Sequence, residues 1–373
     1  MKKRLLPVTA VIVSLALMLA SCSDYLGGSP DELFNETASI LYSKDKTVLL
    51  YCPPGRKGSV TIPGSVTTIG DRAFYGCSSL ESVTIPGSVT AIGVGAFYGC
   101  SSLESVTIPG SVTIIGDGAF SYCSSLESVT IKNGVTTIGD RAFSYCSNLE
   151  SVDIPGSVTT IGYGAFSGCS SLESVDIPGS VTTIGDMAFS GCSSLESVDI
   201  PGRVSTIGYS AFSDCSSLAA INVDAANAEF SSVDGALYNK NKTSLLIYPV
   251  GKTGSSFTIP DSVTSIGVEA FSYCSSLESV TIKNGVTTIG DGAFYSCSSL
   301  ESVTIPGSVT TIGKYAFYGC SRLVSVEFEG TITSGSFFDN YGSFPGDLWE
   351  KYFAGGIGTY TRPSGSSNTW TKN

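Results

Sequence analysis

Twelve cysteines and no histidine set the first limits on chemistry. Without imidazole, Cys–His and Ser–His–Asp catalysis and histidine-ligated zinc are excluded. Ten cysteines recur at a spacing of 23 residues in two runs. The first comprises Cys77, Cys100, Cys123, Cys146, Cys169, Cys192 and Cys215; the second comprises Cys274, Cys297 and Cys320. Zinc needs four ligands converging on one ion, usually from close pairs such as C-x₂-C, and this period supplies no such pair. Neighbours stacked one strand apart are within disulfide reach by distance, but their Cβ vectors point the same way, so bridging would distort both rungs. A small apolar side chain fits a repeated interior slot without strain. The ten are therefore read as buried free thiols. Cys52 stands outside the series as an odd thiol that could be exposed.

Carboxylates recur as well. Glu81, Glu104, Glu127, Glu150, Glu173, Glu196, Glu278 and Glu301 hold one position of the repeat. Three residues further on, Thr84, Thr107 and Thr130 give way to Asp153, Asp176 and Asp199. Glu150, Asp153, Glu173, Asp176, Glu196 and Asp199 form a candidate anionic patch for a basic partner or a weakly held Ca²⁺. The alternative is drift among solvated positions. Paired carboxylates also hydrolyse glycosides, but that needs two distinct environments in a cleft, which identical rungs do not provide. The residue pairs before each Ala-Phe and each cysteine vary freely, which places them outside. They carry Tyr75, Tyr98, Tyr122, Tyr145 and Tyr163, and tyrosine is a favoured interface residue. "GKTGSS" at 251–256 lacks the leading glycine of a phosphate loop, since position 246 is Leu246. No cofactor or metal is implied.

The elements that position these residues are set by the repeat. "PGSVTTIGDRAFYGCSSLESVTI", Pro63 to Ile85, begins again at Pro86, Pro109, Lys132, Pro155, Pro178 and Pro201, then at Pro260, Lys283 and Pro306. A strict period of this size predicts a solenoid. The end of "LESVTI" alternates as a strand with one buried face. "VTTI" is a second short extended piece, "GDRAFYGC" is too short for a regular helix and is expected to make one turn of helix or 3₁₀, and Pro-Gly forces a corner. Stacked units run their strands in parallel at about 4.8 Å per step, so each apolar position becomes a ladder.

The pattern A-F-x-x-C-x-x-L-x-x-V-x-I-P-x-x-V-x-x-I-G over roughly residues 39–328 resembles the leucine-rich repeats of BspA-like bacterial surface proteins. The resemblance implies a right-handed leucine-rich-repeat horseshoe: a β-rich solenoid with parallel strands on the concave side, short extended or 3₁₀ segments on the convex side, and a β-hairpin insert. It carries no shared catalytic residues, so none is transferred. Some members are adhesins, which makes host matrix proteins or other bacteria the partners it suggests.

The N-terminus adds an address. Lys2, Lys3 and Arg4 precede the apolar run "LLPVTAVIVSLALMLA", which leads into "LASC", Leu19 to Cys22. This is the pattern of a bacterial lipoprotein signal, with cleavage before Cys22 and lipid on its thiol. Membrane contact is expected through that anchor only. The net charge of −12 argues against nucleic acid as a partner. The expected organisation is a signal peptide (1–21), a polar tether (22–38), an N-terminal hairpin cap (39–62), seven repeats (63–223), a hairpin insert (224–259), three repeats (260–328) and an aromatic-rich C-terminal cap (329–373). The hairpins are read from two matching stretches, Ile40–Gly58 and Ala236–Gly254, the second expected to bulge laterally from the solenoid. The sequence thus suggests a monomeric, non-enzymatic, lipid-anchored binding protein on the bacterial surface. A structural or variable surface antigen without a dedicated ligand is the alternative.

Overall fold

The computed structural model describes residues 39–335 and 342–373. Cys22, where lipidation is expected, the segments 1–21 and 22–38, and the aromatics Phe337, Phe338 and Tyr341 lie outside the described residues.

The described chain is a parallel β-solenoid. Each unit supplies one strand to each of two sheets and a stack of turns on the remaining side. The longer strands alternate as their sequence demands: in Ser105–Ile108, Val106 and Ile108 are buried while Ser105 and Thr107 face solvent. Like pairs with like, Ser105 with Ser128 through Ile108 with Ile131. The two-residue strands of the second sheet keep the same rule, Thr137 with Thr160 and Ile138 with Ile161. Inside, Phe74, Phe97, Phe120, Phe143, Phe166, Phe189 and Phe212 form one column with centroids 4.7–5.6 Å apart and planes within 13°. Each ring within the column is sandwiched by its neighbours, which adds about 0.5–1.5 kcal/mol per pair to the burial of its area.

The turn side has its own hydrogen-bond rule. Ala73, Tyr75 and Cys77 donate N–H groups to the carbonyls three residues earlier, Gly70, Arg72 and Phe74. The intervening N–H groups of Arg72, Phe74 and Gly76 donate outward to Val94, Ala96 and Tyr98 of the next rung. Bonds of 3₁₀ type thus occur at every second residue, and the residues between them tie the rungs together. The alternation requires two left-handed residues per rung, such as Arg72 (φ 55°) and Gly76 (φ 70°). Where these are not glycine, the Cβ costs about 1–2 kcal/mol. Met187 (φ 54°) is one such residue and is partly exposed. Met187→Gly is expected to raise stability by about 1 kcal/mol, read as a higher urea midpoint at unchanged slope.

Aspartates beside the turn tie successive rungs together as well. Side chains of Asp71, Asp117, Asp140, Asp186 and Asp291 accept the backbone N–H of Val94, Asp140, Tyr163, Tyr209 and Lys314 in the following rung, at 2.7–2.9 Å. These aspartates are therefore part of the scaffold.

The two hairpin stretches begin the two ladders. Leu41–Tyr42 pairs antiparallel with Val48–Tyr51, which then pairs in parallel with Thr68–Ile69. The second stretch does not bulge from the solenoid. Phe230–Val233, Ala236–Asn239 and Ser244–Ile247 form an antiparallel meander, and its last strand pairs in parallel with Ser265–Ile266. The reason is the inward Leu245, buried as Leu49 is at the first ladder. Cys52 is likewise not an exposed thiol: it is fully buried, and its carbonyl accepts the Cys77 thiol at 3.5 Å. It lies under the first rung, where Tyr248 lies at the second ladder. Two hydrophobic cores result, one from Leu49 to Leu237 and one from Ala236 to Trp370.

The C-terminal end is sealed. Ser325–Phe328 pairs antiparallel with Gly358–Thr361, and a helix spans Leu348–Gly355. Phe344 stacks on Phe317 at 4.5 Å. The buried Arg362 donates to the carbonyls of Leu323 and Cys320, satisfying last-rung acceptors that have no further rung, and to the Ser367 carbonyl of its own tail.

Candidate functional site

The described cysteines are all buried and unpaired. Each thiol in the ladder proper does more than fill space. Cys100 donates to the Phe74 carbonyl of the preceding rung at 3.2 Å, and Cys123, Cys146, Cys169, Cys192, Cys215, Cys297 and Cys320 repeat the contact at 3.0–3.2 Å. Sequence reasoning missed this donor role. Burial pushes the thiols of Cys169 and Cys215 up to about 12, with the backbone contact opposing it. At neutral pH they are protonated and poor nucleophiles.

Glu150, Asp153, Glu173, Asp176, Glu196 and Asp199 all face solvent. Asp153 and Asp176 are register partners on the parallel strands Ser151–Asp153 and Ser174–Asp176. Asp199 lies on Ser197–Ile200, which pairs with Ala220–Val223, and Asn222 donates to its carboxylate at 2.9 Å. Among the described residues no three acids or cysteines converge as a metal-binding group. The patch is two parallel columns of charge, without the enclosing geometry that Ca²⁺ takes.

The tyrosines come together more closely. Tyr75 stacks on Tyr98 at 5.0 Å, Tyr98 meets Tyr122 at 5.3 Å, and Tyr122 stacks on Tyr145 at 4.7 Å. Tyr75, Tyr122 and Tyr145 remain about half exposed. A second strip runs Tyr273, Tyr295 and Tyr318 at 5.5 and 5.7 Å. Tyr163 is separate: the Arg141 guanidinium covers its ring at 4.8 Å. Sequence reasoning also missed a cavity of about 270 Å³ where the two ladders meet, lined by Phe212, Leu246, Tyr248 and Glu269 among others. The 59-residue gap between Cys215 and Cys274, not a multiple of the period, is the signal that could have found it.

No curated protein matches the chain. The family model for the BspA type leucine rich repeat region matches residues 56–172, 136–247 and 251–342. Among solved structures, the chain is similar to a leucine rich cell surface protein from Faecalibacterium prausnitzii A2-165, with 32% identity over 78% of this chain and 86% of that one, TM-score 0.65. A leucine-rich repeat protein from Eubacterium ventriosum ATCC 27560 shares 31% identity over 76% and 68% of the two chains, TM-score 0.56. One from Bacteroides ovatus ATCC 8483 shares 28% over 82% and 88%, TM-score 0.54. With most of its length matched by the family model and its solenoid shared with these proteins, the chain belongs to the BspA-type leucine-rich-repeat family.

Proposed function

We propose that the protein is a non-enzymatic, lipid-anchored adhesin that binds proteins of the host matrix or of other cells through its repeat surface. The observation that carries this reading is the exposed tyrosine strip Tyr75–Tyr98–Tyr122–Tyr145. Interior positions repeat because packing demands it, but nothing in the core requires these surface rings to meet from rung to rung, even across the one-residue offset between Tyr98 and Tyr122. Such a strip offers rigid apolar area with a hydroxyl at each step, at low entropic cost. Single contacts would be weak and would gain by multivalency. The lipid on Cys22 and the surface location rest on the N-terminal pattern and on the likeness to a cell surface protein.

The test combines protease accessibility on whole cells with a matrix-protein binding array. The variant Tyr75→Ser/Tyr98→Ser/Tyr122→Ser/Tyr145→Ser is expected to lose at least about tenfold in affinity for whatever the native chain captures. Replacing Asp153, Asp176 and Asp199 by threonine should leave that capture intact. Unchanged binding by the tyrosine variant would sink the proposal, and capture of nothing by the native chain would favour a surface antigen without a dedicated ligand.

A further inference from the structure

The first ladder ends without its last set of hydrogen bonds. In each of its first six rungs, three N–H groups on the turn side donate to the next rung; Met187, Phe189 and Gly191 donate to Tyr209, Ala211 and Ser213. The equivalent N–H groups of the seventh rung, on Ser210, Phe212 and Asp214, have no acceptor among the described residues. No eighth turn follows: the meander that opens the second ladder comes next in space and leaves a gap in front of these donors. Tyr248 of that meander sends its own N–H onward to Ala270. In the first ladder the matching hairpin edge has no rung before it among the described residues. Here the same open edge faces the seventh rung.

The gap is the cavity of about 270 Å³. The phenylalanine column is broken across it: Phe212 stacks back on Phe189 at 5.6 Å and Tyr248 stacks forward on Phe271 at 5.0 Å. Ile207 is only partly covered, whereas its counterparts in the other rungs are buried. At the rim, Ser210 Oγ donates to Glu269 Oε2 at 2.8 Å, tying the two walls together. The lining contains Glu269 and no lysine or arginine.

We infer that this cleft binds a peptide segment that stands in for the missing eighth rung. Three donors on alternate residues match main-chain carbonyls on alternate residues, as each rung of the turn stack receives the next. The peptide's carbonyls accept from Ser210, Phe212 and Asp214, an aromatic side chain enters between Phe212 and Tyr248, and a basic side chain meets Glu269. The chain's own turn shows the match. In Gly139–Tyr145 the carbonyls of Asp140, Ala142 and Ser144 already serve the preceding rung, with Phe143 and Arg141 between them.

The probe is therefore the acetylated, amidated peptide of residues 139–145, titrated into the full chain by calorimetry and by amide hydrogen exchange. In the free protein, the amides of Ser210, Phe212 and Asp214 should exchange faster than those of Met187, Phe189 and Gly191. The peptide should bind saturably with a Kd of about 10–100 μM and slow those three amides at least tenfold. Its phenylalanine-to-alanine version should bind about tenfold more weakly, and Glu269→Gln, whose amide oxygen can still accept from Ser210, should weaken the original peptide. Failure to slow these amides, or equal binding of the alanine peptide, overturns the inference. Tighter binding of phenethylammonium than of the peptide overturns it too, and assigns the cavity to a small organic cation.

Discussion

Above pH 9 the protein is expected to lose stability steeply. Burial pushes the thiols of Cys123, Cys146, Cys169, Cys192, Cys215 and Cys274 up, to about 12 for Cys169 and Cys215. In the unfolded chain the same thiols ionise at about pH 8.5–9. Below that value both states are protonated and the linkage contributes no pH dependence. Between the unfolded and folded values only the unfolded state releases protons, so rising pH favours unfolding. Each such thiol then removes about 1.4 kcal/mol per pH unit. Cys169 and Cys215 alone account for about 5 kcal/mol between pH 9 and 11. Thermal melts followed by circular dichroism under reducing conditions should show a falling Tm over that range. The variant Cys169→Ala/Cys215→Ala should melt lower at pH 7 but with a shallower alkaline slope. A Tm that stays level to pH 10.5 would contradict the buried thiol ladder.

Gly185→Ala is expected to cost about 3–5 kcal/mol, more than most substitutions of a single methyl. A Cβ at this position would lie 2.6 Å from the carbonyl carbon of Gly162, 2.7 Å from its oxygen and 2.7 Å from the nitrogen of Tyr163. These are backbone atoms, and the Gly185 N–H is already bonded to the Ile161 carbonyl at 2.9 Å. Relief requires the rungs to separate, which loses inter-rung hydrogen bonds worth about 1 kcal/mol each. Gly156→Ala is the control, because nothing lies within 4 Å of a Cβ there. Urea denaturation should separate the pair, with Gly156→Ala inside about 0.5 kcal/mol of the native chain. Equal midpoints for the two variants would mean that the rungs are not held as closely as described.

Comparing sequence with structure, the repeat and the place of its interruption were legible, and the stacking of the interrupting strands was not. The strand with buried Val106 and Ile108, the phenylalanine column and the buried thiols follow from an apolar period that admits one inside. The leucine-rich-repeat fold was legible for the same reason. The donor role of the cysteines was hidden, because a buried thiol reads as an apolar filler until its distance to a carbonyl is known. The left-handed residues were half visible. Gly76, Gly95, Gly99 and Gly118 fall on those positions, but Arg72, Arg141 and Tyr145 occupy them too and disguise the backbone requirement. Cys52 and the meander were misjudged because a single hairpin sequence carries no sign of the layer that will stack on it. The tyrosine corners were visible as outside positions, while their stacking depended on a rung spacing that only the folded solenoid sets.

The alternating turn bonds also make the length of this molecule quantised. Every interior rung takes in three carbonyl acceptors and gives out three N–H donors, so a whole rung can be added or removed while every remaining bond keeps its partner. One extra residue in a rung has no such freedom. It would slip phenylalanine against alanine and cysteine against serine in every later layer until an irregular stretch absorbed the difference. The meander between Val223 and Pro260 is where this chain absorbs such a difference, and it is also where the seventh rung is left with donors to offer.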